Sequence, residues 1–421
     1  MLRVYLLVAV IALVNGPSSG SRMVLRQAWA DAPSGLPTAA VSADGRYVAF
    51  VSAARLMPSD TNVLDDIYLL DRDTQQLTLA TSAYTGGAAN GTALNPQLSA
   101  DGRYLAFDSR ATNLTGTPDR NEQEDIFLRD RVSGMTRRVS VAPGRHEANG
   151  RSLNPALSAD GRWVVFESSA TNLVPGDDAN GTASDVFLAD LAIGTLTRIS
   201  VDATGRQFAR AFASRISGNG RLVVFTATRY IEPTPGRAAT PTGPSVYLRD
   251  VAAGTTICIS CDRATDGQRL AAFSPDLSSD GRVVSFSVQT SPQRSDVVVN
   301  DRATSTITVI TRKANARSAA SRLSGDGNIV AFESWASNLL CRKRCLDAAI
   351  DENLLPDVYL FDRTTGRFVR ASGGNVSWWT PSLGPVIDGR GQVVVFSSRE
   401  PFGPEDTTAD FDLFVCSPVC G

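Results

Sequence analysis

The sequence predicts an all-β fold, a seven-bladed β-propeller made of four-stranded antiparallel blades. Three observations predict it: a short signature recurs seven times, each copy contains four strand-like segments separated by turn residues, and no long segment has helical periodicity. A four-stranded sheet cannot bury both of its faces alone. Packing seven copies around an axis buries both faces of each sheet and leaves few open edges.

The first signature combines a tight turn with an apolar strand. It reads Ser, one residue, Asp-Gly (Asn219-Gly in the fourth copy), then a strand that ends in Phe five residues after the glycine. Asp-Gly and Asn-Gly favour hairpin turns that need left-handed backbone angles. The signature glycines are Gly45, Gly102, Gly161, Gly220, Gly281, Gly327 and Gly391, and the matching phenylalanines are Phe50, Phe107, Phe166, Phe225, Phe286, Phe332 and Phe396.

A second signature supplies the third strand of each copy. These segments are Asp66–Asp71, Asp125–Asp130, Asp185–Asp190, Ser245–Asp250, Asp296–Asp301, Asp357–Asp362 and Asp412–Cys416. Most are followed by a turn such as Arg131-Val-Ser-Gly134 and by a strand such as Thr136–Val141. Each copy therefore contains four strands.

The two ends of the chain complement each other. The seventh copy has three strands and lacks the fourth, while Met23–Trp29 matches the fourth-strand pattern that begins at Arg138. Pairing this N-terminal strand with the last blade would close the ring through backbone hydrogen bonds. We therefore predict a single propeller domain over residues 22–421.

Residues 1–21 have the pattern of a secretory signal peptide. Arg3 precedes an apolar run from Val4 to Val14, and a small, polar stretch follows. Eleven apolar residues are too few to cross a hydrocarbon core of about 30 Å, so a membrane anchor is the weaker alternative. We expect a periplasmic or secreted protein with no transmembrane segment after signal cleavage.

The cysteines form three close pairs. They are Cys258 with Cys261, Cys341 with Cys345, and Cys416 with Cys420. An even number of cysteines in an exported chain indicates disulfides. Zinc bound by Cys-x-x-Cys groups is the alternative, although a single pair has that spacing.

Charge and histidine content exclude several functions. The chain has 41 Lys and Arg against 43 Asp and Glu, a formal net charge of -2, which argues against nucleic acid as a partner. His146 is the single histidine, so a metal site made of several imidazoles cannot form. No Gly-x-Ser-x-Gly nucleophile motif accompanies it, and we expect His146 to be a surface residue.

The repeats resemble those of a known superfamily. Leu157–Phe166, followed by Ala170-Thr-Asn-Leu173 and by Asp185-Val-Phe-Leu188, resembles the repeats of the TolB-like, WD-repeat-like β-propellers. The resemblance covers nearly the whole mature chain, without the α/β domain that precedes the propeller in TolB. It implies an exported propeller with a scaffold role. Similar propellers that act as oligogalacturonate lyases use a histidine-rich metal site, which this chain cannot supply.

The central channel provides the first candidate site. The first strand of each blade lines the channel of a propeller, and the position five residues before each signature glycine is occupied by Ala40, Gln97, Ala156, Arg215, Asp276, Arg322 and Val386. Gln97 with the neighbouring Arg215, Asp276 and Arg322 could form a polar pocket for an anionic or peptide ligand. An ion-pair cluster in an otherwise empty channel is the alternative.

Two further groups lie on the face with the long connections. Trp378 and Trp379 could stack on sugars or on a partner's apolar side chains, or pack beneath their own loop. Asp108, Glu167 and Glu333 end the second strands of their blades and could act as acid and base on a glycosidic bond. We expect them instead to accept backbone hydrogen bonds from the Ser-x-Ala-Thr/Ser-Asn-Leu loop that follows.

No cofactor is required by these patterns. Asp177-Asp-Ala-Asn180 and related Asp/Asn groups, Asp60-Thr-Asn62 and Asp351-Glu-Asn353, could bind calcium or merely stabilise turns. We expect a monomeric, non-enzymatic scaffold that binds an envelope or extracellular protein or glycan. A glycoside hydrolase with carboxylates at the channel mouth is the alternative.

Overall fold

The computed structural model describes residues 38–117, 119–231, 240–241, 243–261, 264–265, 268–340, 355–372, 381–399 and 412–417, and the backbone of two N-terminal strands at 11–15 and 21–25. It confirms a seven-bladed β-propeller of antiparallel blades. Trp378, Trp379, Cys341, Cys345, Cys420 and Asp351–Asn353 lie outside the described residues.

Six blades each contain four strands in the predicted order. Their bounds are Ala39–Val41, Tyr47–Ser52, Asp66–Asp71 and Gln76–Leu79 in blade one; Ala93–Leu98, Tyr104–Ser109, Asp125–Asp130 and Met135–Arg138 in blade two; Ser152–Leu157, Trp163–Ser168, Asp185–Asp190 and Thr195–Arg198 in blade three; Arg210–Ile216, Leu222–Thr228, Ser245–Asp250 and Thr255–Cys258 in blade four; Ala272–Leu277, Val283–Ser291, Arg294–Asp301 and Thr306–Val309 in blade five; Ser318–Leu323, Ile329–Ser334, Asp357–Asp362 and Arg367–Arg370 in blade six.

Blade seven contains the chain's two ends. Its strands Ser382–Ile387, Val394–Ser398 and Asp412–Ser417 are followed across the sheet by Ser21–Leu25 and then Ile11–Asn15, within the predicted signal segment. Ser21–Leu25 lies antiparallel to Asp412–Ser417, as closure by an N-terminal strand would require. The structure describes these two N-terminal strands by their backbone alone, and closure through them stays a prediction.

The Asp-Gly turns connect the blades in a ring. Gly161 has a φ of 71°, which glycine adopts without steric cost, and Ser158 Oγ donates to Asp160 at 2.6 Å. The turns of blades one to six each donate a backbone hydrogen bond to the next blade's turn, from Ala43 N–H to Ala100 O through to Gly325 N–H to Gly389 O. At Gly389 an added Cβ would lie 3.0 Å from the carbonyl oxygen of Ala43, so the turns of blades seven and one are in contact.

The hydrophobic core is divided among the interfaces between blades. In the described part of the chain, one cluster of buried residues lies between each pair of neighbouring blades, including Phe50 and Tyr68 of blade one against Val395 and Val415 of blade seven. The signature Phe packs on an aromatic residue of the third strand in six blades, with ring centroids 5.6 to 6.0 Å apart. Apolar burial thus joins the blades into a closed ring.

Other regular elements are short. Three two-residue hairpins pair Val141–Ala142 with His146–Glu147, Tyr230–Ile231 with Thr240–Pro241, and Ala264–Thr265 with Gln268–Arg269. The first encloses the single-turn 3₁₀-helix Pro143–Arg145. In the part of the chain that the structure describes, no helix is both long and apolar enough to span a membrane.

Candidate functional site: the central channel

The first strands of all seven blades line a central cavity of about 650 Å³. Gln97, Arg215, Asp276 and Arg322, the four channel residues singled out in the sequence, all lie on its wall. They come together because each occupies the same register position on its blade. Their role in binding a ligand stays a prediction.

Arg215, Asp276 and Arg322 lie on three consecutive blades. Arg215 Nε is 3.8 Å from Asp276 Oδ1, while Asp276 Oδ2 accepts the Leu323 backbone N–H at 2.7 Å. The two arginines instead donate to backbone carbonyls next to them, Arg215 to Ser214 O at 2.9 Å and Arg322 to Ser321 O at 3.1 Å. Asp276 therefore divides its oxygens between a distant ion pair and the backbone, and neutralises the arginines incompletely.

Arg215 lies in a poorly solvated position for a cation. Its side chain is 22% exposed. Burial, followed by the like charge of Arg322, lowers the pKa of the Arg215 guanidinium to about 10. The group is still charged at neutral pH, and an anion placed beside it would relieve both unfavourable effects.

Sequence reasoning did not identify Arg210 and Arg317 as a second layer of arginines at equivalent repeat positions. Arg210 begins the first strand of blade four, and its guanidinium lies 4.9 Å from the centre of the Phe212 ring; both residues line the cavity. Arg317 has the same repeat position in blade six and contacts Trp335 at 5.1 Å. Aligning the repeats ten residues before each signature glycine, as well as five, would have found this pair.

The first strands of blades two to seven each contain a β-bulge, at which one residue has left-handed backbone angles. This residue lies seven positions before the signature glycine in blades two to seven, and the set is Asn95, Asn154, Ala213, Ser274, Ala320 and Gly384, with φ between 51° and 64°. Five of the six are not glycine, although the left-handed region costs such residues energy. Each bulge shifts the register against the second strand by one residue and turns backbone groups toward the neighbouring blade.

Asp108, Glu167 and Glu333 accept hydrogen bonds from these bulges. Asp108 Oδ1 accepts the backbone N–H of Asn154 at 3.1 Å, and Glu167 Oε1 that of Ala213 at 2.7 Å. Glu333 Oε1 accepts the Gly384 N–H at 2.7 Å. The expectation that these carboxylates bond their own following loop was therefore wrong: the acceptor on each blade is used by the next blade.

Burial changes the acidity of the three carboxyl groups. They are between 1% and 9% exposed. Burial raises the pKa of Asp108 to about 7 and also raises those of Glu167 and Glu333. Glu167 and Glu333 line the cavity, whereas Asp108 does not. Because each is bonded to a neighbouring backbone, they are arranged to hold blades together rather than to transfer protons to a ligand.

The other expected groups have separate positions. A disulfide joins Cys258, the last residue of the outer strand of blade four, to Cys261, and Cys416 is also disulfide-bonded. His146 is exposed. Asp178, from the calcium hypothesis on 177–180, lies 3.1 Å from Arg198, and Asp185, at the start of the following strand, lies 3.0 Å from it. The described residues contain no group of three or more His, Cys, Asp or Glu arranged to hold a metal.

Comparison with known proteins adds information on fold. No protein-family model matches the chain, and no curated protein matches it. Among solved structures, an oligogalacturonate lyase from Vibrio parahaemolyticus is similar at a TM-score of 0.56 and 11% identity, over 96% of this chain and 95% of that one. An acylaminoacyl peptidase from Pyrococcus horikoshii reaches 0.52 and 12%, over 92% of this chain but 52% of that one.

The structural neighbours include TolB. The protein from Acinetobacter baumannii is similar at a TM-score of 0.44 and 17% identity, over 82% of this chain and 67% of that one. At 11% and 12% identity, the lyase and the peptidase show the shared fold alone, and the function of this chain must be argued from its own channel.

Proposed function

We propose that this chain is an exported, non-enzymatic β-propeller that binds an acidic protein segment or an acidic glycan at the mouth of its channel. The observation that supports it most is the cluster of Arg210, Arg215 and Arg322 on one side of the cavity. Of the three carboxylates on the same wall, Asp276 lies 3.8 Å from Arg215, and Glu167 and Glu333 each accept a backbone N–H of the next blade. Guanidinium groups bind carboxylates and other oxyanions strongly when water is partly excluded.

The volume of the cavity and the net charge of the chain are consistent with a ligand that is a small acidic group on a larger partner. A cavity of about 650 Å³ is in the range of ordinary ligand pockets. The net charge of -2 gives no broad positive field of the kind that nucleic acids need. The ligand would therefore be recognised locally, by the arginines in the channel of a monomeric propeller.

Export is supported by the N-terminal pattern and by the Cys258–Cys261 disulfide, which suits an oxidising compartment. The glycoside hydrolase alternative needs a carboxyl group that is free to give a proton to a bound sugar. Glu167 and Glu333 instead accept backbone hydrogen bonds from neighbouring blades, which supports a binding role.

The test compares two double variants that remove the same charge. Arg215→Ala with Arg322→Ala removes two channel arginines. Arg103→Ala with Arg162→Ala removes two half-exposed arginines that follow the Asp-Gly turns, pair with Asp130 and Asp190, and do not line the cavity. We expect the mature chain to bind poly-L-glutamate or alginate but not neutral dextran, and the channel variant to lose at least about tenfold in affinity. Equal affinities in both double variants would contradict the proposal.

A further inference from the structure

Two interfaces between blades use the same arrangement of residues, apart from one position. We call them the 3–4 set, which is Glu167, Ala213, Arg215 and Arg210, and the 5–6 set, which is Ser287, Ala320, Arg322 and Arg317. Each member of one set has the repeat position of the corresponding member of the other, counted from the signature glycines. The sets differ chemically at one position, which is Glu167 in the 3–4 set and Ser287 in the 5–6 set.

In the 3–4 set a carboxylate accepts a backbone N–H and lies in the electrostatic field of two guanidiniums. Glu167 Oε1 accepts the Ala213 N–H at 2.7 Å. The charges of Arg215 and Arg210 lower the pKa of Glu167, against the larger effect of burial, which raises it. The side chain of Glu167 thus shows which chemical group this arrangement accepts.

The 5–6 set keeps the backbone and the arginines. Ala320 has a φ of 54° and Ala213 a φ of 52°, so the two first strands contain the same kind of bulge. Arg322 donates to the carbonyl oxygen before it, as Arg215 does. Arg317 stacks on an aromatic ring, as Arg210 does. Among the described residues, neither Arg317 nor Arg322 has a carboxylate oxygen within the 4.0 Å of an ion pair.

Ser287 is too short to take the role of Glu167. A serine oxygen is two bonds closer to the backbone than a glutamate oxygen, and Ser287 has the same strand position and therefore points the same way. Its side chain is 0% exposed, and its Oγ has no hydrogen-bond partner. A buried hydroxyl without a partner is costly and unusual in a native protein.

We propose that the 5–6 set is a subsite for a carboxylate group of the ligand, which takes the place that the Glu167 carboxylate has in the 3–4 set. The Ser287 hydroxyl and the Ala320 N–H would donate to it, and Arg322 with Arg317 would balance its charge. Ala320 and Arg322 line the cavity, so the subsite adjoins the channel, whereas Ser287 and Arg317 are not among the lining residues. This inference rests on the proposed function and specifies the group that is recognised.

The neighbouring interfaces are less suitable for a ligand carboxylate than the 5–6 set. Thr226 has the same strand position in blade four and also has an unpartnered hydroxyl, but the next blade offers Asp276 where the 5–6 set has Arg322. A second carboxylate there would be repelled. Both arginines of blade six lower the pKa of Glu333. The Glu333 carboxylate, however, is used at the interface with blade seven, where it accepts the Gly384 N–H.

The test places the protein's own side chain in the subsite. Ser287→Glu should reproduce the 3–4 set, and the neutral Ser287→Gln fills the same space if the glutamate variant fails to fold. The matched control is Ser397→Glu, at the same strand position in blade seven, where the hydroxyl is also unpartnered. Titration calorimetry would use N-acetylglutamate and glucuronate, with N-acetylglutamine and glucose as neutral analogues, and sulfate as a carboxylate-free anion.

We expect one or both acids to bind the wild type and the neutral analogues not to bind. Ser287→Glu should weaken the binding of the acids at least about tenfold, and Ser397→Glu should leave it unchanged. Preference for N-acetylglutamate would indicate a peptide ligand, and preference for glucuronate a glycan. Carboxylate binding that survives both Ser287 variants would overturn the subsite, as would failure of both acids to bind. If sulfate then still binds, and Arg215→Ala with Arg322→Ala abolishes that binding, the proposed function stands while the subsite fails.

Discussion

Blades three and five are built on the same repeat but place their charges differently. In blade three Arg198 lies beside Asp178 and Asp185 inside the blade, and the channel position is the neutral Ala156. In blade five Val309 replaces Arg198 at the same register, and the channel position is Asp276. The turns, the alternating strands and apolar burial form the blade in both cases. Charged positions can therefore serve the blade or the channel without changing the fold.

The first prediction tests this difference through stability. Asp185→Ala in blade three should lower the free energy of unfolding by about 3 kcal/mol, because Arg198, 8% exposed, loses its closer carboxylate partner. Asp296→Ala, at the same strand position in blade five, should cost about 1 kcal/mol, because Asp296 pairs with Arg294, which is 36% exposed and can be solvated. Urea unfolding of both variants at neutral pH measures the two losses.

A matched control separates the ion pair from the hydroxyl that both aspartates accept. Ser200 donates to Asp185 at 2.6 Å, and Thr311 donates to Asp296 at 3.1 Å. Ser200→Ala and Thr311→Val should have effects similar to each other. Equal losses in Asp185→Ala and Asp296→Ala would show that the buried arginine does not distinguish the two blades.

The sequence predicted features that depend on local residues and on the repeat. Asp-Gly turns and alternating strands are local, and the channel position of Arg215 and Asp276 follows from counting in one blade and applying the count to all. The ion pair between Asp178 and Arg198 was not predicted, because it depends on the register between two strands: Arg198 lies opposite Phe187 in the antiparallel pair. The acceptor role of Glu167 was missed for a related reason: its donor, Ala213, belongs to the next blade.

The second prediction concerns pH and the carboxylates between blades. Asp108 in blade two is the counterpart of Glu167, and burial raises its pKa to about 7. A raised pKa in the folded state means that the protonated group favours folding at low pH, and that this contribution disappears as the pH rises to 7. Asp108→Asn should therefore gain about 2 kcal/mol of stability relative to the wild type between pH 5 and pH 8. Urea unfolding at several pH values measures the change.

Asp130→Asn is the control for this prediction. Arg103 donates to Asp130, which holds the pKa of that carboxyl group below its usual range. A lowered pKa gives stability that is already complete above the usual carboxyl range, so this variant should differ from the wild type by the same amount at pH 5 and pH 8. A flat difference for Asp108→Asn as well would mean that its carboxylate is ionised in the folded protein throughout this range.

The third prediction sharpens the comparison at the channel, where we expect the smallest effect. Asp276→Asn keeps a carbonyl oxygen for the Leu323 N–H but removes the negative charge beside Arg215. Affinity for poly-L-glutamate should increase about threefold, because the ligand no longer competes with Asp276 for the guanidinium. Asp177→Asn, which removes an exposed charge of blade three, should leave affinity unchanged. A decrease in Asp276→Asn would instead mean that Asp276 orients Arg215 for the ligand, so that this carboxylate, like those of blade three, serves mainly to position an arginine.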